Sequence, residues 1–327
     1  MNFKYKHNKS RQPQLLTEEI DIPKSIIDEV QESIIYLLQG PPGTGKTYQI
    51  ADVISRLVLN NNSVLLTALT NKATIEICKK PFFDKLFEEN RVSKLPLSID
   101  EKRKFPNLTN IKELSPLKGH LTLTTYYQFS RIWQSQSQTY DYVVVEEASQ
   151  AYLTTIAAAA KVGKRVIVVG DPNQIVPIVT NKNYKIFPNV EALINGMNTL
   201  SQIDDFSFKR KIETRRLTHR STEYTNFFYE NTIQSKSIYE DIQKDIDRLS
   251  NLSNYIHPKG GPSLLLFSNK TNNINDLMEY FLATSRAKKS TFILAENDFD
   301  KKVNLPTNVA LFLSKLKNDF SFNFKRK

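Results

Sequence analysis

Five short apolar runs punctuate the first two hundred residues: Ile34–Leu38, Val64–Thr67, Leu121–Thr124, Tyr142–Val145 and Arg165–Val169. Each is too short for a helix, and β-branched residues and leucine dominate, which predicts buried strands. Continuous runs of this kind, without alternation, mark strands whose two faces are both covered. Between them lie stretches of helical spacing, clearest from Lys46 to Leu59, which has no interior Gly or Pro. The alternation predicts an α/β fold with a parallel sheet covered on both sides. From Lys79 to His120 the rhythm breaks: the segment is charged, carries Pro81, Pro96, Pro106 and Pro116, and reads as a small insertion at about 79–120. A second unit is expected after the polar segment Asn195–Asp205, with a helix near Thr222–Tyr229, a strand Ser263–Phe267, a helix Asn273–Ser285 and a strand Thr291–Leu294. The 327 residues are enough for two cores, which divides the chain at 1–204 and 205–327.

The first strand runs directly into Gly40-Pro41-Pro42-Gly43-Thr44-Gly45-Lys46-Thr47, and the long helix starts where that octapeptide ends. This is the pattern G-x-x-x-x-G-K-[ST] between a strand and a helix. Glycines let successive backbone N–H groups turn toward one phosphate, and the helix start adds the positive end of its dipole. Lys46 is expected to reach the β- and γ-phosphates, and the Thr47 hydroxyl to hold Mg²⁺. The chemistry implied is binding of a nucleoside triphosphate.

Such a loop needs an acidic partner strand. Tyr142–Val145 ends in Glu146 and Glu147, and alternation along a strand would send the two carboxylates to opposite sides. Glu146 is then expected to support Mg²⁺, directly or through water, and Glu147 to polarise the attacking water. The strand Arg165–Val169 ends in Gly170-Asp171-Pro172-Asn173-Gln174, a polar turn at the edge where such sheets place their ligands. Gln174 is a candidate sensor of the γ-phosphate, and Asp171 a candidate nucleotide-binding residue that fixes the turn.

Composition narrows the partners. The net charge is +11, and the residues from Asp205 onward hold 21 Lys and Arg against 14 Asp and Glu, an excess that suits a polyanion such as nucleic acid. A single cysteine, Cys78, and four scattered histidines exclude an internal disulfide and argue against a zinc site. No apolar run approaches the ~18 residues needed to span a bilayer. The first nine residues lack the apolar core of a signal peptide, so a cytoplasmic, intracellular protein with no membrane partner is expected. There is no internal repeat and no low-complexity tract.

Taken together, the glycine loop, Glu146-Glu147-Ala148-Ser149-Gln150 and Gly170-Asp171-Pro172-Asn173-Gln174 resemble motifs I, II and III of a superfamily 1 helicase of the senataxin-like branch, with UvrD/Rep-like motifs as well. The resemblance runs from about Ser33 to Leu294. Thr70-Asn71-Lys72-Ala73 is similar to motif Ia, which touches the nucleic-acid backbone. Thr124-Thr125 resembles the next strand-end contact. Leu217-Thr218-His219-Arg220-Ser221-Thr222 is similar to motif IV and Ala283-Thr284-Ser285-Arg286-Ala287-Lys288-Lys289 to motif VI. What this implies is a P-loop ATPase of two RecA-like domains, the second one shortened, with Arg220 and Arg286 as arginine fingers that neutralise charge on the γ-phosphate. Thr70, Asn71, Lys72, Thr125 and Lys259 would contact a single strand of DNA or RNA. Tyr126, Tyr127 and Phe129 follow a strand end, where base stacking and helix-core packing are both open to them.

The chain departs from the family pattern at three places. Glu146 stands where motif II normally has Asp. Gln12, Gln14 and Gln31 are all candidates for the glutamine that reads adenine. Ile256-His257-Pro258-Lys259-Gly260-Gly261-Pro262 keeps the lysine and glycine of motif V but lacks its glutamine. The reading is an ATP hydrolase, helicase or translocase, using ATP and Mg²⁺ on single-stranded nucleic acid. The alternative is an ATP- and nucleic-acid-binding regulatory subunit that controls a partner such as a nuclease. A ring-forming AAA+ remodelling ATPase shares the glycine loop but not the Glu-Glu-Ala-Ser-Gln and Gly-Asp-Pro-Asn-Gln strings.

Overall fold

The computed structural model describes residues 11–135, 139–174, 177, 190–238, 257, 259, 261–267, 290–296 and 306–324. Contacts divide the chain into two compact units: Met1–Gly40 with Lys46–Lys211, and Pro41–Gly45 with Ile212–Lys327.

The first unit is built on β1 (Gln14–Leu16), α1 (Ile22–Glu32), β2 (Ile35–Gln39), α2 (Lys46–Leu59), β3 (Ser63–Ala68) and α3 (Asn71–Cys78). Then come α4 (Asp84–Glu88), β4 (Val92–Leu95), α5 (Ile99–Lys104), β5 (Thr109–Asn110), β6 (His120–Thr125), α6 (Tyr126–Ile132) and β7 (Tyr140–Glu146). It closes with α7 (Leu153–Val162), β8 (Gly163–Gly170), α8 (Val190–Ile194), α9 (Gly196–Ser201) and β9 (Ser207–Lys211). All nine strands join one parallel sheet in the order β1-β9-β2-β8-β7-β3-β6-β4-β5. The parallel order, with the glycine loop between β2 and α2, is consistent with a RecA-like P-loop domain.

Burial explains why the apolar runs were legible. Every residue of β2, β3 and β7 is buried, so neither face leaves a polar stripe. One core lies under α1 and α2, whose inward positions Ile22, Ile26 and Val30, and Ile50, Val53, Ile54, Leu57 and Val58, follow helical spacing. The other lies under α6, α7 and α9 and contains Tyr126, Phe129, Ile156, Ala159, Val162 and Met197. The segment at 79–120 is not an appendage: its β4 pairs with β6 and carries the sheet two strands further.

The second unit contains β10 (Glu213–Thr214), α10 (His219–Thr225), β11 (Gln234–Ser235), β12 (Gly261–Phe267), β13 (Ser290–Glu296), α11 (Thr307–Asp319) and β14 (Ser321–Phe324). Its parallel three-stranded sheet runs β13-β12-β14, and β10 pairs with β11. Tyr224, Leu264, Phe312, Leu313 and Leu316 form its core. The helix expected at Asn273–Ser285 lies outside the described residues. Among the described residues no helix is long and apolar enough to cross a membrane.

The amino edge of the large sheet is clamped by Asp141 at the start of β7. Its carboxylate accepts from the Ser63 N–H at 2.9 Å, the Ser63 hydroxyl at 2.8 Å, Lys118 Nζ at 2.6 Å and Lys164 Nζ at 2.9 Å. Burial alone would raise its pKa, but the Lys118, Ser63 and Lys164 contacts outweigh it and hold the carboxyl well below the usual range. A depressed carboxyl stabilises the fold above its unfolded pKa of ~3.9, and that stabilisation fades as pH falls below it. Asp141→Asn is therefore expected to destabilise the protein by about 2 kcal/mol at pH 7. Thermal unfolding from pH 7 down to pH 3 should show the gap to wild type narrowing; a constant gap would refute the ion-pair account.

Candidate functional site

The phosphate-binding candidate starts where β2 meets β8. The Gly40 N–H donates to the Gly170 carbonyl at 2.9 Å, which pins the loop's first residue to the carboxyl edge of the sheet. Gly43 and Gly45 have φ of 77° and 73°, a region that suits glycine. A Cβ on Gly43 would lie 2.4 Å from Arg216 Cβ and 2.5 Å from the Thr214 hydroxyl, so close packing also bars a side chain there. Nothing lies within 4 Å of a Cβ on Gly45, which leaves open space beside the loop. The Thr214 hydroxyl donates to the Pro42 carbonyl at 3.1 Å, and the Thr44 hydroxyl to the Pro41 carbonyl at 2.8 Å. Lys46, the first residue of α2, donates its ammonium to the Gly40 carbonyl.

Two strands away, β7 delivers the carboxylates. Glu146 is buried, and its Oε1 accepts from the Thr47 hydroxyl at 2.8 Å. Burial, then the neighbouring Glu147, push the Glu146 pKa up to about 7, against the pull of the Thr47 hydrogen bond and the Lys46 charge. The strand ends there. Glu147 is exposed and left-handed, with φ 57° and ψ 38°, so the two carboxylates are separated by a turn and not by the strand alternation expected from sequence. A non-glycine residue in this region costs on the order of 1–2 kcal/mol and persists where its surroundings enforce it. Here the enforcement is visible. A Cβ on Gly170 would lie 2.8 Å from the Ser149 nitrogen and 3.0 Å from the Ala148 nitrogen, so the turn after Glu147 packs directly on the end of β8.

The turn after β8 is organised by Asp171, which is buried. Its carboxylate accepts from the Asn173 N–H at 3.2 Å, Gln174 Nε2 at 3.1 Å and Gln39 Nε2 at 3.0 Å. Asp171 thus shapes the turn, and Gln174 is half-buried beside it. Gln39 in turn accepts from Arg210 Nε at 2.9 Å. Sequence reading missed both Gln39 and Arg210; the one signal was a polar residue closing an apolar strand directly before the glycine loop.

The candidate strand contacts share this edge, because Ala68 at the end of β3 registers with Glu146 on β7 and with Thr125 on β6. Thr70 and Thr125 are both helix N-caps, accepting from the Ala73 N–H at 3.1 Å and the Gln128 N–H at 3.4 Å. Asn71 and Lys72 are exposed. Tyr126 and Phe129 are core residues, and the Tyr126 hydroxyl donates to the Glu146 carbonyl. Tyr127 is 68% exposed, with the Arg131 guanidinium 5.7 Å from its ring centre.

In the second unit, Arg220 is buried on α10. Its Nε and Nη2 donate to Asp319 Oδ2 at 3.1 and 2.9 Å, and its guanidinium lies over the Tyr224 and Phe320 rings at 5.0 and 5.8 Å. Burial would raise the Asp319 pKa, but the Tyr224 hydroxyl at 2.6 Å and Arg220 together hold it low. A Cβ on Gly261 would approach Arg220 Nη1 to 2.9 Å, which accounts for a glycine at that end of β12. Lys259 is exposed in a turn, its N–H donating to His257 Nδ1 at 3.1 Å. Arg286 lies outside the described residues.

The donor set fits the groups the loop implies. Thr47 and Glu146 offer a hydroxyl and a carboxylate, the hard oxygen ligands that Mg²⁺ takes alongside water and phosphate. A buried carboxylate with a raised pKa gains from a cation placed against it. Among the described residues no group of three His, Cys, Asp or Glu side chains is arranged for a protein-only metal site.

A family described as an AAA domain matches residues 23–180. Over 165 residues the chain is 30% identical to the DNA replication ATP-dependent helicase/nuclease DNA2 of Saccharomyces cerevisiae, covering 48% of this chain and 11% of that protein. Over 266 residues it is 24% identical to the regulator of nonsense transcripts 1 homolog of Neurospora crassa, covering 68% of this chain and 24% of that protein. Among solved structures, an arterivirus nonstructural protein 10 (helicase) in complex with DNA aligns with 85% of this chain and 63% of its own, at 14% identity and a TM-score of 0.47. The chain thus spans between 11% and 24% of the length of these two curated relatives. The AAA-domain match takes in just under half of the chain, and the chain is similar to DNA2 and to regulator of nonsense transcripts 1.

Proposed function

We propose that the chain is an ATP hydrolase of helicase type, driven by single-stranded DNA or RNA. The observation that carries this reading is the Thr47–Glu146 hydrogen bond beside Lys46 and the left-handed Glu147. Lys46 and the backbone N–H groups of Gly43, Gly45, Lys46 and Thr47 bind the triphosphate. Thr47 and Glu146 would hold Mg²⁺, which would supply positive charge to the bound triphosphate. Glu147, exposed on its turn, orients a water and takes its proton, and Gln174 lies on the turn that would register the γ-phosphate. Arg220 and Arg286 supply positive charge as fingers. Thr70, Asn71, Lys72, Thr125 and Lys259 hold the strand by its phosphates. A cytoplasmic setting and a partner such as a nuclease in a larger assembly belong to the same reading. The helicase/nuclease name of one relative supports that last point.

Steady-state ATP hydrolysis, alone and with single-stranded DNA or RNA, tests the reading with Lys46→Ala as the blank. Strong stimulation by one polymer is expected. Turnover indifferent to both, with ATP still bound, would replace the motor by a nucleotide-gated regulator of a partner. Glu147→Gln is expected to bind ATP yet hydrolyse it at least 100-fold more slowly; full turnover would remove Glu147 from the mechanism.

Glu146 gives a prediction independent of turnover. A carboxyl whose folded pKa is raised to about 7 keeps its proton longer in the folded state, so its stabilising balance deteriorates as pH rises from ~4.5 through 7. In metal-free buffer Glu146→Gln should therefore stabilise the protein by on the order of 2–3 kcal/mol at pH 8 and by little at pH 5. Added Mg²⁺ and nucleotide should raise the melting temperature of wild type more than that of the variant. Equal metal response in both proteins would exclude Glu146 as a ligand.

A further inference from the structure

We propose that Lys94, in the 79–120 segment, is a positioning residue for nucleic acid: it locks the Asn71 amide so that its NH₂ group faces outward to a strand phosphate. The proposal rests on the reading of Thr70–Lys72 as a strand contact. Lys94 lies on β4 and is fully buried, at 0% exposure. Its ammonium donates to Asn71 Oδ1 at 2.7 Å, to the Pro96 carbonyl at 2.6 Å and to Glu101 Oε2 at 3.2 Å, one acceptor for each of its three N–H bonds.

An ammonium has no acceptor to offer, so the amide atom that meets it is the oxygen. The usual ambiguity of an asparagine side chain is thereby removed. Its NH₂ group is turned away from Lys94, and among the described residues none accepts a hydrogen bond from it. Asn71 is exposed and opens α3, directly beyond the β3 end that registers with Glu146 and Thr125. A phosphodiester oxygen only accepts hydrogen bonds, so an outward NH₂ matches it and an outward carbonyl would repel it. Glu101 is itself fixed, accepting from the Ser98 N–H at 2.9 Å in a capping box at the start of α5. A chain of contacts thus runs from α5 through Lys94 to the side chain that meets the strand, and gives the inserted segment a task.

Anisotropy of a labelled oligothymidylate and a labelled oligouridylate decides the point, on wild type, Lys94→Met, Asn71→Ala and the double variant. Each single change is expected to weaken binding about fivefold, the equivalent of one hydrogen bond. The double variant should bind no more weakly than Asn71→Ala alone. In strand-stimulated ATPase assays Lys94→Met should raise the half-saturating strand concentration while the rate at saturation persists, a split that general destabilisation does not produce. Asn71→Asp keeps the acceptor for Lys94 and removes the NH₂ at the same size, so it should fold and still lose strand affinity. Unchanged binding by Lys94→Met, additive losses in the double variant, or wild-type binding by Asn71→Asp would each overturn the proposal. If wild type binds and Asn71→Ala binds equally well, the strand-contact reading falls and this inference with it. If wild type binds neither oligonucleotide, the proposed function is what fails.

Discussion

The site depends on one constraint: a carboxylate is buried at the end of a strand that is itself buried on both faces. Glu146 is buried with the rest of β7, so its charge must be met locally: the Thr47 hydroxyl reaches it from the start of α2, and the Lys46 charge acts on it through space. Those groups follow β2 and its loop, yet β8 lies between β2 and β7 in the sheet. The two neighbours can therefore meet only above the end of β8, and Gly170 is the residue there. The missing Cβ lets the Ala148 and Ser149 backbone lie directly on it, while its carbonyl takes the Gly40 N–H. A side chain at this position would separate the acidic strand from the phosphate loop. Sheet order, one glycine and one desolvated carboxylate are in this sense a single device.

The same packing explains how two adjacent glutamates acquire different chemistry. Glu146 is inside and resists ionisation, whereas Glu147 is outside, on a backbone turned left-handed. Environment separates the pair more strongly than strand alternation would have done, since alternation along a fully buried strand would have left both carboxylates desolvated. The strain at Glu147 is sustained by the contact of the following residues with Gly170.

Legibility in the sequence follows burial chemistry. β2, β3, β6, β7 and β8 were visible because covering both faces of a strand leaves an unbroken apolar run, and the glycine loop was visible because positive φ selects its residues. The strands β9 and β4 were hidden for the opposite reason: they bury cations. Lys209 pairs with Glu29 at 2.8 Å and Arg210 with Gln39, partners far away in the chain, and Lys94 meets Asn71 and Glu101. No local pattern announces that a lysine will be satisfied by residues that only the fold brings near. Glu147's turn and the pairing of Arg220 with Asp319 were unreadable on the same ground. Each depends on what a side chain meets, not on which residues flank it.

Buried cations are costly unless every donor is matched, and a matched cation is also an oriented one. Lys94 and Arg220 use this differently. The lysine is a point charge that distributes three hydrogen bonds, so its effect is to orient its partners. The arginine is a plane: gripped by Asp319 along one edge and covered by Tyr224 and Phe320, it is itself the group being oriented. A guanidinium held this way loses little freedom when it meets a second anion, but that anion must compete with a carboxylate already in place. A neutral or singly charged ligand competes poorly against an ion pair with hydrogen bonds to both Nε and Nη2.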